Sequence, residues 1–394
     1  MSSFRSFYSG LLPLFVLAHF SHHLLAALLI PLLPFIRDDF ALDYTQTGWV
    51  VSAFTLSYGI SQLPAGWLAD HIGPRLVITI SISGGALSGL LVGLSPTYIT
   101  LILFLVLLGV TGGGYHPTSV RLVAASVEPK ERGRVLGLHQ TGGGASFFLA
   151  PLIAVGIATA LGWRGSFITI ATPTIVFSIV FYILLGRRLH TSKAEPEILY
   201  GHTGTPSTLD GSRNLVVFLI LSVVGAALII STISFIPLFL VDHFHVSEET
   251  AAALLTIVYS AGVWAGLLGG FLSDRFGKVP VVLGVSLIAG PIIYLLNLVL
   301  FGWGIYAVLF AVGMSMHTGF PVVEAYIISH TSERNRSMIL GIYYVGSRGG
   351  SGIIMPVLGY LIDRSGFYTS FTIVAATMVA VTLGCSILLL GSRD

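Results

Sequence analysis

Long apolar runs follow one another from about Tyr8 to Leu390, separated only by short polar stretches. A run of about 18 or more apolar residues is long enough to cross a bilayer as a helix, and a helix satisfies its own backbone hydrogen bonds there. Twelve such helices are expected, over residues 8–36, 45–69, 76–95, 97–126, 134–160, 165–186, 214–241, 249–272, 279–300, 303–330, 337–362 and 367–390. Charged residues make up 9% of the chain, against about 25% in a soluble domain. So few charges cannot cover a water-facing surface of this size, and the expected class is an all-α membrane protein.

Several other classes drop out. The net charge of +2 gives no basis for nucleic-acid binding, and the single cysteine, Cys385, excludes an internal disulfide. No Gly-x-x-x-x-Gly-Lys-Ser/Thr stretch is present to cradle ATP phosphates. No nucleophile–base pair or metal constellation stands out, so neither an enzyme nor a cofactor is expected. The first apolar run, which follows Arg5, is too long for a cleaved signal segment.

A polar stretch, 187–213, separates the sixth and seventh runs and reads as a solvated linker. The expected domains are therefore 1–186, 187–213 and 214–394, with both termini cytoplasmic. That orientation places Arg75, Lys130, Arg132, Arg134, Arg187, Arg188, Arg275 and Lys278 inside, leaving Arg37, Arg164 and Arg364 outside.

One stretch occurs twice, once in each half. Gly66-Trp67-Leu68-Ala69-Asp70-His71-Ile72-Gly73-Pro74-Arg75 joins the second run to the third. Gly270-Phe271-Leu272-Ser273-Asp274-Arg275-Phe276-Gly277-Lys278 joins the eighth to the ninth. At the same offset of 204 residues Gly109 maps to Gly313, Pro117 to Pro321, Arg132 to Arg336 and Gly162 to Gly366. The chain is thus two copies of a six-helix unit, an arrangement found in one transporter architecture.

With these residues the chain resembles the Major Facilitator Superfamily. The 66–75 stretch looks like the family's signature loop between helices 2 and 3, and 270–278 like its echo between helices 8 and 9. The resemblance implies twelve transmembrane helices in two pseudo-symmetric six-helix bundles, working by alternating access. It also implies a latch role for Gly66, Asp70, Gly73, Arg75, Gly270, Asp274, Arg275, Gly277 and Lys278, the alternative being a plain structural turn. The run Gly112-Gly113-Gly114-Tyr115-His116-Pro117 looks most like the fosmidomycin-resistance branch. Helix 4 lacks the arginine of drug–proton antiporters between Leu105 and Gly109.

Ionisable residues inside a membrane are costly and rare, so each is a functional candidate. Depth follows from a rise of ~1.5 Å per residue. His23, His116, His317 and Arg348 fall near the midplane, while Arg121, His139 and Glu324 lie nearer the cytoplasm. We expect Arg348, His116, Tyr115, His23, His317, Gln140 and Tyr343 to contact the substrate. Arg121 and Glu324 are expected to pair as a cytoplasmic gate, with His139 in the same layer and Glu324 exchanging a proton. The alternatives are that Arg121 reaches to the interface, that Glu324 bonds a neighbouring Tyr or Ser, and that Arg348 and Glu324 form a fixed ion pair. His19 and His23 lie one turn apart with His22 beside them and suit a proton relay. No carboxylate on that helix joins them, so no metal is expected. Gly113, Pro117, Gly319 and Pro321 weaken helices 4 and 10 and are read as hinges.

The expected function is secondary active transport of a small organic anion, coupled to protons, by a monomer in the bacterial inner membrane. A multidrug efflux antiporter, or a membrane sensor that no longer transports, are the alternatives.

Overall fold

The computed structural model of the protein describes residues 11–127, 131–191 and 210–390, and every helix or strand among them is a helix. In chain order these are α1 (Leu12–Ala27), α2 (Leu33–Phe40), α3 (Tyr44–Ile72), α4 (Pro74–Gly93), α5 (Tyr98–Gly112), α6 (Tyr115–Ala125) and α7 (Arg132–Thr191). There follow α8 (Asp210–Phe244), α9 (Glu248–Ser260), α10 (Gly262–Phe276), α11 (Lys278–Leu295), α12 (Trp303–His330) and α13 (Glu333–Leu390). Taken across short interruptions, eight stretches are long and apolar enough to cross a membrane. Most of the linker expected at 187–213 lies outside the described residues.

The interruptions differ from expectation in ways the local chemistry explains. The first expected helix is divided into α1 and α2 around Pro31 and Pro34, each of which lacks a donor N–H. The fourth is divided at Gly113–Gly114, where three consecutive glycines give the backbone its greatest freedom. Helix α12 was expected to break likewise, yet it runs unbroken through Pro321. There a single glycine, Gly319, accompanies the proline, and the loss of one ladder bond is tolerated. The eighth helix is loosened for one residue at Ala261 without any proline, its φ of −58° and ψ of −28° staying helical. The fifth and sixth helices, and the eleventh and twelfth, run on as α7 and α13, each turned by one non-helical glycine, Gly162 or Gly366.

The duplication is written into the backbone. Among the described residues six of the seven positive φ angles fall in pairs 204 residues apart, Gly302 being the exception: Ala41 (51°) with His245 (55°), Gly73 (89°) with Gly277 (88°), and Gly162 (69°) with Gly366 (73°). Close helix approach is duplicated too. A Cβ on Gly109 would stand 2.6 Å from the carbonyl oxygen of Phe54, and one on Gly313 would overlap the carbonyl oxygen of Val258. Phe54 and Val258 share the same offset, so each half packs its second helix onto a glycine of its fourth.

The chain divides into two compact units, one of residues 1–40 and 53–198, the other of 41–52 and 199–394. The core of the first holds Phe15, Ile78, Tyr115, Val135 and Phe181. The second is built around Phe218, Val282, Val323, Tyr326 and Tyr343. The second unit also takes in the first turns of α3. There the Asp363 carboxylate accepts the Tyr44 and Thr45 backbone N–H groups at 3.0 and 2.9 Å, together with the Thr45 hydroxyl. Donors left without intrahelical partners at a helix start are satisfied in this way.

Candidate functional site

In the first unit α1, α6 and α7 gather five histidines and a tyrosine. His19 on α1 lies one turn before the adjacent pair His22 and His23. His116 and Tyr115 open α6 just after the glycine break, and His139 comes from α7. The rings of His19 and His139 stack with centroids 4.2 Å apart, and His22 stacks on Tyr115 at 4.4 Å. His19 Nδ1–H donates to the His139 carbonyl oxygen at 2.9 Å. His23 Nε2 and His116 Nε2 lie 3.0 Å apart. The Tyr115 hydroxyl lies 3.2 Å from His139 Nε2, and Tyr58 reaches His22 at 3.4 Å.

Two glycines make room for this group. A Cβ on Gly143 would stand 2.8 Å from His19 Cε1 and Nε2, and one on Gly112 would press on the His22 and Tyr58 rings at 3.3 Å. The sequence places His23 and His116 in one layer, and the structure brings these two together, with Tyr115 beside them. His139, expected in the cytoplasmic layer, joins this cluster, where its ring stacks on His19 and its Nε2 meets the Tyr115 hydroxyl. Gln140, next to it, is exposed.

The second unit holds the other charges. The Tyr344 hydroxyl donates to Glu324 Oε1 at 2.6 Å, the bond foreseen as an alternative for this carboxylate. Arg348 projects from α13 with Tyr259, His317, Tyr343 and Tyr344 within electrostatic reach. Among the described residues its guanidinium has no hydrogen-bond or ion-pair partner, and no ion pair joins it to Glu324. His317 lies flat on Gly262, each of three ring atoms 3.3 Å from where a Cβ would be, and its Nε2 is buried without a partner. Gly319, Phe320 and Tyr343 line a small cavity with Gly225, Ser286 and Ser315.

The signature loops are more local than expected. Arg121, anticipated as a partner of Glu324, instead donates to Asp70 Oδ1 at 2.5 Å. Arg75 donates to the Tyr182 carbonyl oxygen at 2.8 Å and lies over the Tyr182 ring. A Cβ on Gly186 would overlap its guanidinium, so that glycine is part of the arrangement. Gly73 and Gly277 supply the turns. Gly66 and Gly270 have no atom within 4 Å of a Cβ position. Asp274 has no counterpart of Arg121, since that position in the second half is Ala325. Lys278 Nζ donates to the Ser329 hydroxyl, and Arg275 lies over the Phe276 ring. Tyr182, Gly186 and Gly143 carry no signal in the sequence, because their roles depend on which helix faces lie together.

The comparisons with known proteins agree with this architecture. A probable L-galactonate transporter of Escherichia coli K12 is 31% identical over 170 residues, 43% of this chain and 38% of that protein, so the match spans well under half of the relative. A probable sulfoacetate transporter of Cupriavidus necator is 24% identical over 379 residues, 88% of this chain and 86% of that one. The crystal structure of a D-xylose–proton symporter superposes with a TM-score of 0.78 at 16% identity, covering 96% of this chain and 97% of that one. The Major Facilitator Superfamily model matches residues 15–241 and 217–394. With a duplicated helical fold and a family match along nearly its whole described length, the chain belongs to the Major Facilitator Superfamily and is a membrane transporter rather than an enzyme.

Proposed function

We propose that the chain is a secondary active transporter that moves a small organic anion by alternating access, with proton coupling through Glu324. The observation that carries this reading is Arg348. A guanidinium deep in an apolar helix bundle needs an anion, and its planar fork suits a carboxylate, sulfonate or phosphonate. With no protein partner among the described residues, that anion is the cargo. Relatives named for galactonate and sulfoacetate support an anionic substrate. His317 and Tyr343 flank the site within the second unit, and in the first unit His116, Tyr115, His23 and Gln140 are the groups read as substrate contacts. Glu324, held by Tyr344, is the group that takes up and gives back a proton. The Asp70 and Asp274 loops act as conformational latches, with Gly113–Pro117 the main hinge.

The protein is a monomer in the bacterial inner membrane. It has twelve crossings in domains 1–186 and 214–394, joined by a cytoplasmic linker, with both termini cytoplasmic, as the Lys and Arg distribution supports. A second reading, export of an anionic compound as in the fosmidomycin-resistance branch, is favoured by the glycine break before Tyr115-His116-Pro117. A thermal-shift screen of galactonate, sulfoacetate and a phosphonate against purified protein tests the substrate class. Stabilisation by anions that is lost in Arg348→Ala supports it. Stabilisation only by cations, retained in that variant, contradicts it.

A further inference from the structure

The geometry points to a divalent transition-metal site formed by His19, His23 and His116. Their ligand nitrogens all lie within 4.8 Å of one another, and His23 Nε2 and His116 Nε2 are 3.0 Å apart. His19 is prepared as a ligand. Its Nδ1–H donates to the His139 carbonyl oxygen, which can only accept, so Nε2 carries a bare lone pair. That Nε2 is buried and has no hydrogen-bond partner, on a residue only 1% exposed. A metal-bound histidine characteristically donates its other N–H to a carbonyl or carboxylate, which fixes the tautomer and aims the ring. Stacking on His139 and the space left by Gly143 hold the ring in that orientation.

Metal–imidazole bonds of about 2.0–2.1 Å place ligand nitrogens roughly 3.3–3.5 Å apart in a tetrahedral site. The His23–His116 pair is already near that spacing, and His19 must close by up to about 1.5 Å, within reach of side-chain adjustment. The proton that the two Nε2 atoms share moves to a ring Nδ1, which frees both lone pairs. Three neutral imidazoles favour zinc, nickel, cobalt or copper over magnesium or calcium. With no carboxylate in the group, the ion keeps its charge, and its fourth position takes water or an anion. The site lies wholly within the first unit.

The test uses the full chain, purified in detergent with an affinity tag that contains no histidine. Titration with Co²⁺ should give the visible absorption bands of a tetrahedral site at one equivalent, and calorimetry with Zn²⁺ should give the same stoichiometry. Mg²⁺ should give neither. His19→Gln, His23→Gln and His116→Gln should each weaken binding by at least about a hundredfold, whereas His330→Gln should not change it. His116→Cys, which keeps a ligand, should still bind Co²⁺ and add a thiolate-to-cobalt charge-transfer band. Elution as a single species and an unchanged melting temperature without metal show that each variant is folded. Absence of one-equivalent binding by the wild-type protein overturns the inference. So does unchanged binding in any folded Gln variant, or Co²⁺ bound by His116→Cys without the thiolate band.

Discussion

The Asp70–Arg121 pair supports a prediction that separates a latch from a mere turn. The two side chains are 45% and 47% exposed, so water screens their attraction. Exposed pairs of this kind contribute about 0.2–1 kcal/mol. Removing either charge should therefore leave the fold intact, lowering the melting temperature in detergent by no more than a few degrees. If the pair forms in only one conformation, however, the same energy shifts the conformational equilibrium by up to roughly fivefold, since ~1.4 kcal/mol is a factor of ten. Transport rates of Asp70→Asn, Arg121→Gln and the double variant, measured in proteoliposomes, form a double-mutant cycle. The double variant should be no slower than the worse single, and the charge-swapped Asp70→Arg/Arg121→Asp protein should recover part of the rate. Strictly additive losses, with no recovery on swapping, would refute a functional pair. The corresponding cycle in the second half does not exist, because Ala325 stands where the partner of Asp274 would be, so Asp274→Asn should have the smaller effect.

Further expectations concern single groups. Glu324→Gln keeps the hydrogen bond from Tyr344 but cannot ionise; it should retain anion exchange across the membrane while losing accumulation driven by a pH gradient. Gly313→Ala places a methyl group on the Val258 carbonyl oxygen and Gly109→Ala one on that of Phe54; each should destabilise by about 1–3 kcal/mol through forced helix separation, read as a lowered melting temperature. Gly162→Ala and Gly366→Ala demand positive φ with ψ of 172° from a residue with a Cβ and should lower stability by about 1–3 kcal/mol each, by the same measurement.

Much of the architecture is legible because a bilayer imposes it. Apolar runs of the required length and the 204-residue repeat lead to a helical bundle in two halves, and the repeat reappears in the paired φ angles of Ala41 and His245, Gly73 and Gly277, and Gly162 and Gly366. Where helices break is less legible. Pro321 leaves α12 whole, since one lost hydrogen bond does not decide the matter against packing. Partners of polar groups are least legible. Depth places Arg121 and Glu324 at one level, but it says nothing of which face of the helix each occupies. Arg121 thus meets Asp70, 51 residues earlier, and Glu324 meets Tyr344 on α13. His139 joins His19 for the same reason. The two lie in one sheath of side chains only because Gly142 and Gly143 let α1 approach α7 closely.

The central claim is that Arg348 holds an anionic cargo whose movement is driven by protons. Its most direct test is uptake of labelled galactonate and sulfoacetate into proteoliposomes under an imposed pH gradient, with wild-type protein beside Arg348→Ala and Arg348→Lys. The expected result is accumulation of at least one anion above equilibrium, collapsed by a protonophore. The half-saturating concentration should rise roughly a hundredfold in Arg348→Ala, as loss of about 3 kcal/mol of charge-assisted hydrogen bonding implies, and by less in Arg348→Lys. Gradient-driven anion uptake with unchanged affinity in Arg348→Ala would contradict the claim.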